Sequence, residues 1–134
     1  MFEIAKTSVL VVGIECKAAL LRELDIDVVS LQFGAQAVQS LKTENIVGVI
    51  SKWNLSDMRD GKLLKGIKLI KPYLPTVAIA DPGNDDQEIN ARSIGVSAVV
   101  TDDIDGRDFQ RLICNLMGFE RIEVINERAT VLGR

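Results

Sequence analysis

Short apolar runs alternate with segments of helical period along most of the chain. Continuous apolar runs bounded by glycine, proline or acidic residues are typical of strands buried on both faces of a sheet. Apolar residues spaced three and four apart are typical of amphipathic helices. The pattern predicts strands at 8–12, 28–31, 47–52, 76–80 and 97–101. It predicts helices at about 15–24, 35–41, 60–73, 85–94 and 106–117.

Regular alternation of strands and helices predicts an α/β fold with a parallel sheet covered on both faces. Right-handed crossovers then favour a three-layer sandwich of flavodoxin-like topology, with strand order 2-1-3-4-5. Residues 1–118 are predicted to form this domain. Residues 119–134 are predicted to be a tail or the start of a linker. Their sequence does not distinguish between an extra strand, a helix leading to a partner domain and a docked segment.

The helical periods also predict which sides face the core. The first helix is predicted to bury Cys16, Ala19, Leu20 and Leu24, and the third Leu63, Leu64, Ile67 and Ile70. The opposite side of the third helix carries Lys62, Lys65, Lys68 and Lys71. That basic side is either a solvated face or a surface for an acidic partner.

Composition narrows the possible functions. The formal net charge of −3 lacks the basic footprint of a nucleic-acid binder, so no direct nucleic-acid binding is predicted. The absence of histidine removes His-containing zinc sites and histidine-based catalysis. The chain has two cysteines without a Cys-x-x-Cys motif and no leader-like N-terminus, which favours a cytoplasmic location. It has no long apolar stretch, so no membrane span is predicted. Gly-x-Gly-x-x-Gly and Walker A motifs are missing, so no cofactor is predicted.

Candidate chemistry lies where the strands end, since the carboxyl edge of such a sheet forms the reactive crevice. Gly13, Ile14 and Glu15 follow the first strand, and Lys52 ends the third. Asp81 follows the fourth strand and Asp102 follows the fifth. These six residues are the predicted pocket.

Two short motifs resemble those of response-regulator receiver domains. The segment 54–58, Asn-Leu-Ser-Asp-Met, follows a predicted strand as Asn-Leu-Pro-x-Met does in that family, and the segment 11–15, Val-Val-Gly-Ile-Glu, resembles the family's Val-Val-Asp-Asp-Glu. The resemblance spans about residues 8–117 and implies the same fold. It places the family's phosphoaccepting aspartate at Lys52 and its magnesium-binding aspartates at Gly13 and Ile14. Asp81, or Ala80, then replaces a Ser/Thr, Asp102 replaces a lysine and Val99 replaces an aromatic residue.

These substitutions predict a receiver-like domain without its chemistry. An ammonium cannot become an aspartyl phosphate, and Glu15 alone is a poor site for Mg²⁺. The resemblance therefore implies a pseudo-receiver of bacterial two-component signalling that is not an enzyme, binds no metal and acts through protein contacts. Two alternatives stay open: a receiver phosphorylated at Asp57 or Asp81, and a flavodoxin-like domain that binds a small ligand.

Charge reversal across the predicted pocket suggests an ion pair between Lys52 and Asp81 or Asp102. The other interpretation is that Lys52 extends into solvent along the edge of a vestigial pocket. Trp53, the single tryptophan, is either a loop anchor or a contact residue for a partner.

In the receiver family, the surface made by the fourth helix, fifth strand and fifth helix commonly dimerises or holds an output domain. The resemblance implies such a homodimer or docking contact here. The residues predicted for it are Asn90, Arg92, Ser93, Val99, Arg107, Asp108 and Arg111.

Overall fold

The computed structural model describes residues 7–119, which form five strands and five helices. The strands are β1 (Thr7–Val12), β2 (Val28–Leu31), β3 (Asn45–Lys52), β4 (Thr76–Ala80) and β5 (Ala98–Thr101). The helices are α1 (Glu15–Arg22), α2 (Gly34–Thr43), α3 (Lys62–Ile70), α4 (Asp85–Ser93) and α5 (Gly106–Met117). Apart from Phe119, the predicted tail lies outside the described residues, and the boundary at 118 remains a prediction.

All strands pair in parallel in the order β2-β1-β3-β4-β5, which confirms the predicted flavodoxin-like sheet. Alternate residues of β1 pack into two different hydrophobic cores, one on each face of the sheet. Val9 and Val11 pack with α1 and α5, whereas Leu10 and Val12 pack with α2, α3 and α4. Because both faces of the strand are covered, its sequence is continuously apolar instead of alternating.

The predicted buried side of α1 is right only in part. Leu20 and Leu24 are half-buried and pack against the core as predicted, but Cys16 and Ala19 are exposed, and Lys17, Ala18 and Leu21 are buried instead. The helix has only 8 residues, so few apolar positions define its side and a lysine occupies one of the inward ones. The buried lysine is tolerated because its ammonium meets an acceptor, described below.

The third helix is shorter than predicted, and Ile70 is not a core residue. Ile70 ends α3 and its side chain is 61% exposed, while Leu63, Leu64 and Ile67 are buried as predicted. Pro72 follows after one residue, Lys71, and a proline cannot continue the helix without loss of a hydrogen bond. The last apolar residue of the helical pattern is therefore left on the surface.

Gly61 fixes the start of α3. Its φ of +71° lies in the left-handed region, and its N–H donates to the carbonyl of Trp53. A β-carbon at this position would lie 2.2 Å from the Trp53 ring, which is only 4% exposed. The turn into α3 thus requires a residue without a side chain.

No helix between residues 7 and 119 has the length and apolar character needed to cross a membrane.

Replacement of Gly61 by alanine should destabilise the fold. The left-handed backbone alone costs an alanine at least about 1 kcal/mol, and the contact with Trp53 adds to that. The matched control is Gly66→Ala in the same helix, where an added β-carbon meets nothing within 4 Å. The control should be neutral or stabilising by up to about 1 kcal/mol. Urea unfolding measures both, and equal midpoints for the two variants would contradict this account of the turn.

Candidate functional site

The predicted pocket residues follow four strands that end along one edge of the sheet. Val12 pairs with Ser51, Lys52 with Ile79 and Ala80 with Thr101, so the strand ends lie side by side. The chain leaves this edge at Gly13, Trp53, Asp81 and Asp102. The structure therefore places the six residues along a common rim, but it does not join all of them into one cluster.

Gly13 lies against the loop that follows β3. Its φ is +80°, and a β-carbon there would lie 2.6 Å from Leu55 Cδ2 and 3.7 Å from Lys52 Cβ and Cδ. Leu55 is 4% exposed and belongs to the core beneath α2 and α3. The space into which a side chain at 13 would extend is thus filled by a leucine and the stem of a lysine.

Ile14 and Glu15 turn to other partners. Ile14 is the residue before α1 and packs with the core shared by α1 and α5. The carboxylate of Glu15 accepts hydrogen bonds from Ser30 Oγ at 2.5 Å and Arg22 Nη1 at 2.7 Å. These two donors, Ser30 first, lower the pKa of Glu15 below its ordinary value. Glu15 is therefore an exposed link between α1 and β2.

The predicted ion pair of Lys52 is wrong. Among residues 7–119 no ion pair joins Lys52 to Asp81 or Asp102. Asp81 is held by α4 instead, since its Oδ2 accepts from Gln87 Nε2 at 3.1 Å and its N–H donates to Gln87 Oε1 at 2.8 Å. Lys52 is half-buried, with its stem along Gly13.

A different lysine reaches the end of β5. Lys17 is 4% exposed, and its Nζ donates to the backbone carbonyl of Asp102 at 3.0 Å. The same Nζ lies 5.6 Å from the centroid of the Phe109 ring. A buried ammonium requires such partners, because its desolvation is otherwise very costly.

Sequence reasoning missed Lys17 because it placed Cys16 on the buried side of the first helix. The signal available was the apolar pair Ala18 and Leu21, which are three residues apart and lie on the side that the helix does bury. Lys17 adjoins that pair, and a long aliphatic stem can lie among apolar neighbours while its charge reaches a polar atom.

Local hydrogen bonds fix the loop between β5 and α5. Asp102 N donates to the carbonyl of Ala80 at 3.3 Å, and Thr101 Oγ1 donates to Asp103. Asp105 Oδ2 accepts from the N–H groups of Arg107 at 3.0 Å and Asp108 at 3.2 Å, which makes Asp105 the N-cap of α5.

The loop after β3 is tied to α2 by Asp57. Asp57 Oδ1 accepts from Gly34 N at 2.9 Å, and Oδ2 accepts from Ala35 N at 3.1 Å. These backbone donors, Gly34 first, lower the pKa of the Asp57 carboxyl. The carboxylate thereby satisfies two of the amide groups that the start of a helix leaves free.

Trp53 anchors the same loop, as one of its two interpretations predicted. Its ring is 4% exposed, lies over Gly61 and is 5.8 Å from the Nζ of Lys65. A ring covered in this way is not open to a partner's side chain.

The rim residues do not fit a divalent cation of the kind the receiver family holds. Gly13, Ile14 and Lys52 supply no carboxylate, and the Glu15 oxygens are taken by Ser30 and Arg22. Asp81 accepts from Gln87, which leaves Asp102 as the one rim carboxylate whose side chain has no hydrogen bond within the described part of the chain. Hard cations need several oxygen ligands. In the stretch from Thr7 to Phe119, no group of three or more Asp, Glu, Cys or His side chains is placed to hold a metal ion.

The predicted contact surface lies around the sheet edge formed by β5. Six of its seven residues are exposed and Val99 is half-buried. Arg92 pairs with Glu88 at 3.1 Å, and Arg111 with Asp108 at 3.6 Å. The prediction omitted Ile89, whose side chain is 62% exposed on α4 beside Asn90. A lone apolar residue within a polar helix gave no periodic signal.

No protein-family model matches the sequence, and no curated protein matches it. Solved structures do match. The receiver domain of NtrX from Brucella abortus is 20% identical, with a TM-score of 0.77 over 84% of this chain and 100% of that one. A CheY-like receiver domain protein from Methanospirillum hungatei is 14% identical, with a TM-score of 0.75 over 86% and 95% of the two chains.

A third match is the receiver domain of a sensor histidine kinase from Pseudomonas aeruginosa, which has a magnesium ion coordinated in its active-site cleft. It is 17% identical, with a TM-score of 0.72 over 86% of this chain and 99% of that one. These comparisons show that the chain has the fold of response-regulator receiver domains.

Replacement of Asp57 by alanine should lower stability at neutral pH, because the amides of Gly34 and Ala35 lose their acceptors. A lowered folded-state pKa stabilises the fold above the unfolded value, about 3.9 for aspartate, and this contribution disappears as the pH falls through the folded value. The difference between wild type and variant should therefore shrink below about pH 4. Thermal unfolding between neutral and acid pH measures it.

Glu44→Ala provides the matched control, since it removes an exposed carboxylate at the other end of α2. This control should not show the loss of stability at neutral pH. A constant gap between Asp57→Ala and wild type from neutral to acid pH would contradict the assigned cap.

Proposed function

We propose that the protein is a receiver-like module of two-component-type signal transduction that accepts no phosphoryl group and regulates through protein–protein contact. The observation that carries this proposal is the packing of Leu55 and Lys52 against Gly13. A methyl group of Leu55 and the aliphatic stem of Lys52 fill the space into which a side chain at position 13 would extend. The receiver family needs carboxylates at this place.

The chemistry of the rim supports the same reading. Lys52 supplies donors and no acceptor oxygen, so no acyl phosphate can form at this position. Transfer to the family's aspartate also relies on a cation that neutralises phosphoryl oxygens. The side chains around Gly13 do not supply the oxygen ligands that such a cation needs. We infer that the module is not an enzyme and that it belongs in the cytoplasm of a bacterial cell.

The fold neighbours support the signalling context, since their names identify response regulators and a receiver domain of a sensor kinase. Phosphorylation at Asp57 or Asp81 is the less favoured alternative, because both carboxylates already accept hydrogen bonds from protein donors. A ligand-binding flavodoxin-like role gains no support from Trp53, whose ring is covered by Gly61.

Acetyl phosphate with Mg²⁺ should leave the intact mass of the protein unchanged. Beryllofluoride with Mg²⁺ should leave the emission of Trp53 unchanged, since no site for the fluoride complex exists at the adjacent rim. Mass spectrometry and fluorescence measure the two outcomes, and a receiver domain with its aspartate intact provides the positive control. Gain of one phosphoryl group that Asp57→Asn or Asp81→Asn abolishes would contradict the proposal in favour of a non-standard acceptor.

The proposed contact surface for a partner or output domain comprises α4, β5 and α5. Asn90, Arg92 and Ser93 lie on α4, Val99 on β5, and Arg107, Asp108 and Arg111 on α5. Exposed Ile89 gives this surface an apolar residue among charged ones, which suits an interface with an apolar centre and a polar rim. A second copy at this surface is the other predicted occupant.

Charge reversal in Arg111→Glu should weaken partner binding about tenfold or more, equivalent to about 1.4 kcal/mol. The substitution opposes the native charge and adds an acid beside Asp108, so it disturbs the surface without touching the core. Retention of host proteins on immobilised wild type and variant measures the effect. Lys42→Glu, an exposed reversal on α2, is the control. Equal retention by wild type, Arg111→Glu and the control would contradict docking at this surface.

A further inference from the structure

The C-terminal end of α3 exposes three large apolar side chains. Leu69 is 86% exposed, Ile70 61% and Tyr73 96%. They fall within five consecutive positions, Leu69 and Ile70 on the last turn of α3 and Tyr73 in the turn after it, and these three residues are named the apolar patch. Grouped apolar side chains on a protein surface commonly mark an interaction site.

The patch lies on a basic helix beside an acidic one. Lysines occur at 62, 65, 68 and 71 on and just after α3, whereas the first turn of α4 contains Asp85, Asp86 and Glu88. Ile89, 62% exposed, follows those acids directly. The net charge of the whole chain is only −3, so the basic and acidic regions of these two helices stand out from a nearly balanced total.

The two helices lie next to each other on one side of the sheet. They follow the neighbouring parallel strands β3 and β4, and both pack on the same core. A β-carbon at Gly95, just after α4, would lie 3.7 Å from Lys68 Cε, which brings the C-terminal ends of α3 and α4 together. The helices therefore run in the same direction with their outer sides on a common surface.

We propose that this surface binds a second copy of the chain across a two-fold axis. A two-fold axis oblique to the helices makes α3 cross α4 of the other copy, and it sets the basic, apolar end of α3 against the acidic first turn of that helix. The contact occurs twice, because a two-fold interface uses the same patch on both subunits. Leu69, Ile70 and Tyr73 then cover Ile89 of the other copy, and Lys68 faces its Asp85.

Charge complementarity favours a second copy over another occupant, since a single surface carries both signs in the arrangement that a two-fold axis matches. Arg107, Asp108 and Arg111 lie on the other side of the sheet, on α5, outside this contact, so the two proposed surfaces share only α4 with Ile89. The proposal does not depend on the missing phosphoryl chemistry.

Sedimentation velocity of the full chain tests the pairing. Wild type should dimerise, with an apparent Kd that rises with salt because the matched charges become screened. Lys68→Glu and Asp85→Lys should each weaken the dimer at least about tenfold, since each places like charges in contact. An equimolar mixture of these two variants should dimerise again, because both contacts then join opposite charges.

Circular dichroism establishes that each variant is folded, and Leu69→Glu gives an independent way to remove the apolar contact. Arg111→Glu and Lys42→Glu should leave this dimer intact. The proposal is overturned by a monomeric wild type, which would leave the surface to a different acidic partner, or by a mixture that stays monomeric. A dimer that Arg111→Glu disrupts while Lys68→Glu does not would also overturn it and would place the pairing at the α4–β5–α5 surface.

Discussion

The close approach of two loops at Gly13 determines how the rest of the rim is arranged. Gly13 has no side chain and a positive φ, so the loop after β3 can place Leu55 directly against the turn that follows β1. The leucine joins the core beneath α2 and α3, while the stem of Lys52 runs beside it. Any larger residue at 13 would displace the buried Leu55 side chain, so the packing of the domain requires glycine at this position.

The charges at the rim are arranged differently from the simple inversion that the sequence suggests. Lysine at 52 and aspartates at 81 and 102 have the right signs to pair, yet Asp81 bonds to Gln87 and the Asp102 carbonyl bonds to Lys17. Two nearby charges in water gain little from pairing, whereas a buried ammonium must find an acceptor. The need of the buried Lys17 ammonium for an acceptor is the larger effect, which explains why Lys17 and not Lys52 makes the contact at the end of β5.

The sheet was predictable from sequence because the inner strands β1, β3 and β4 are largely buried and the edge strands β2 and β5 are half-buried, so each has a mostly apolar sequence. Strands at 28–31 and 76–80 were predicted with their observed limits. The side chains on the helices were less predictable. In α1 a lysine points inward, and in α3 the last isoleucine of the pattern, Ile70, ends the helix with its side chain on the surface. Contacts between loops distant in sequence, such as Leu55 with Gly13, leave no periodic signal at all.

Regulation by phosphorylation needs a segment with two arrangements whose balance the phosphoryl group shifts. In this fold each loop at the rim is held by contacts that exist without any bound group: Asp57 to α2, Asp81 to Gln87, and Asp105 to the start of α5. Such contacts favour one arrangement of the loops. In the phosphorylation-independent module proposed above, the signal is carried by which surfaces are occupied, and the exposed apolar residues of α3 and α4 belong to the surface proposed for that role.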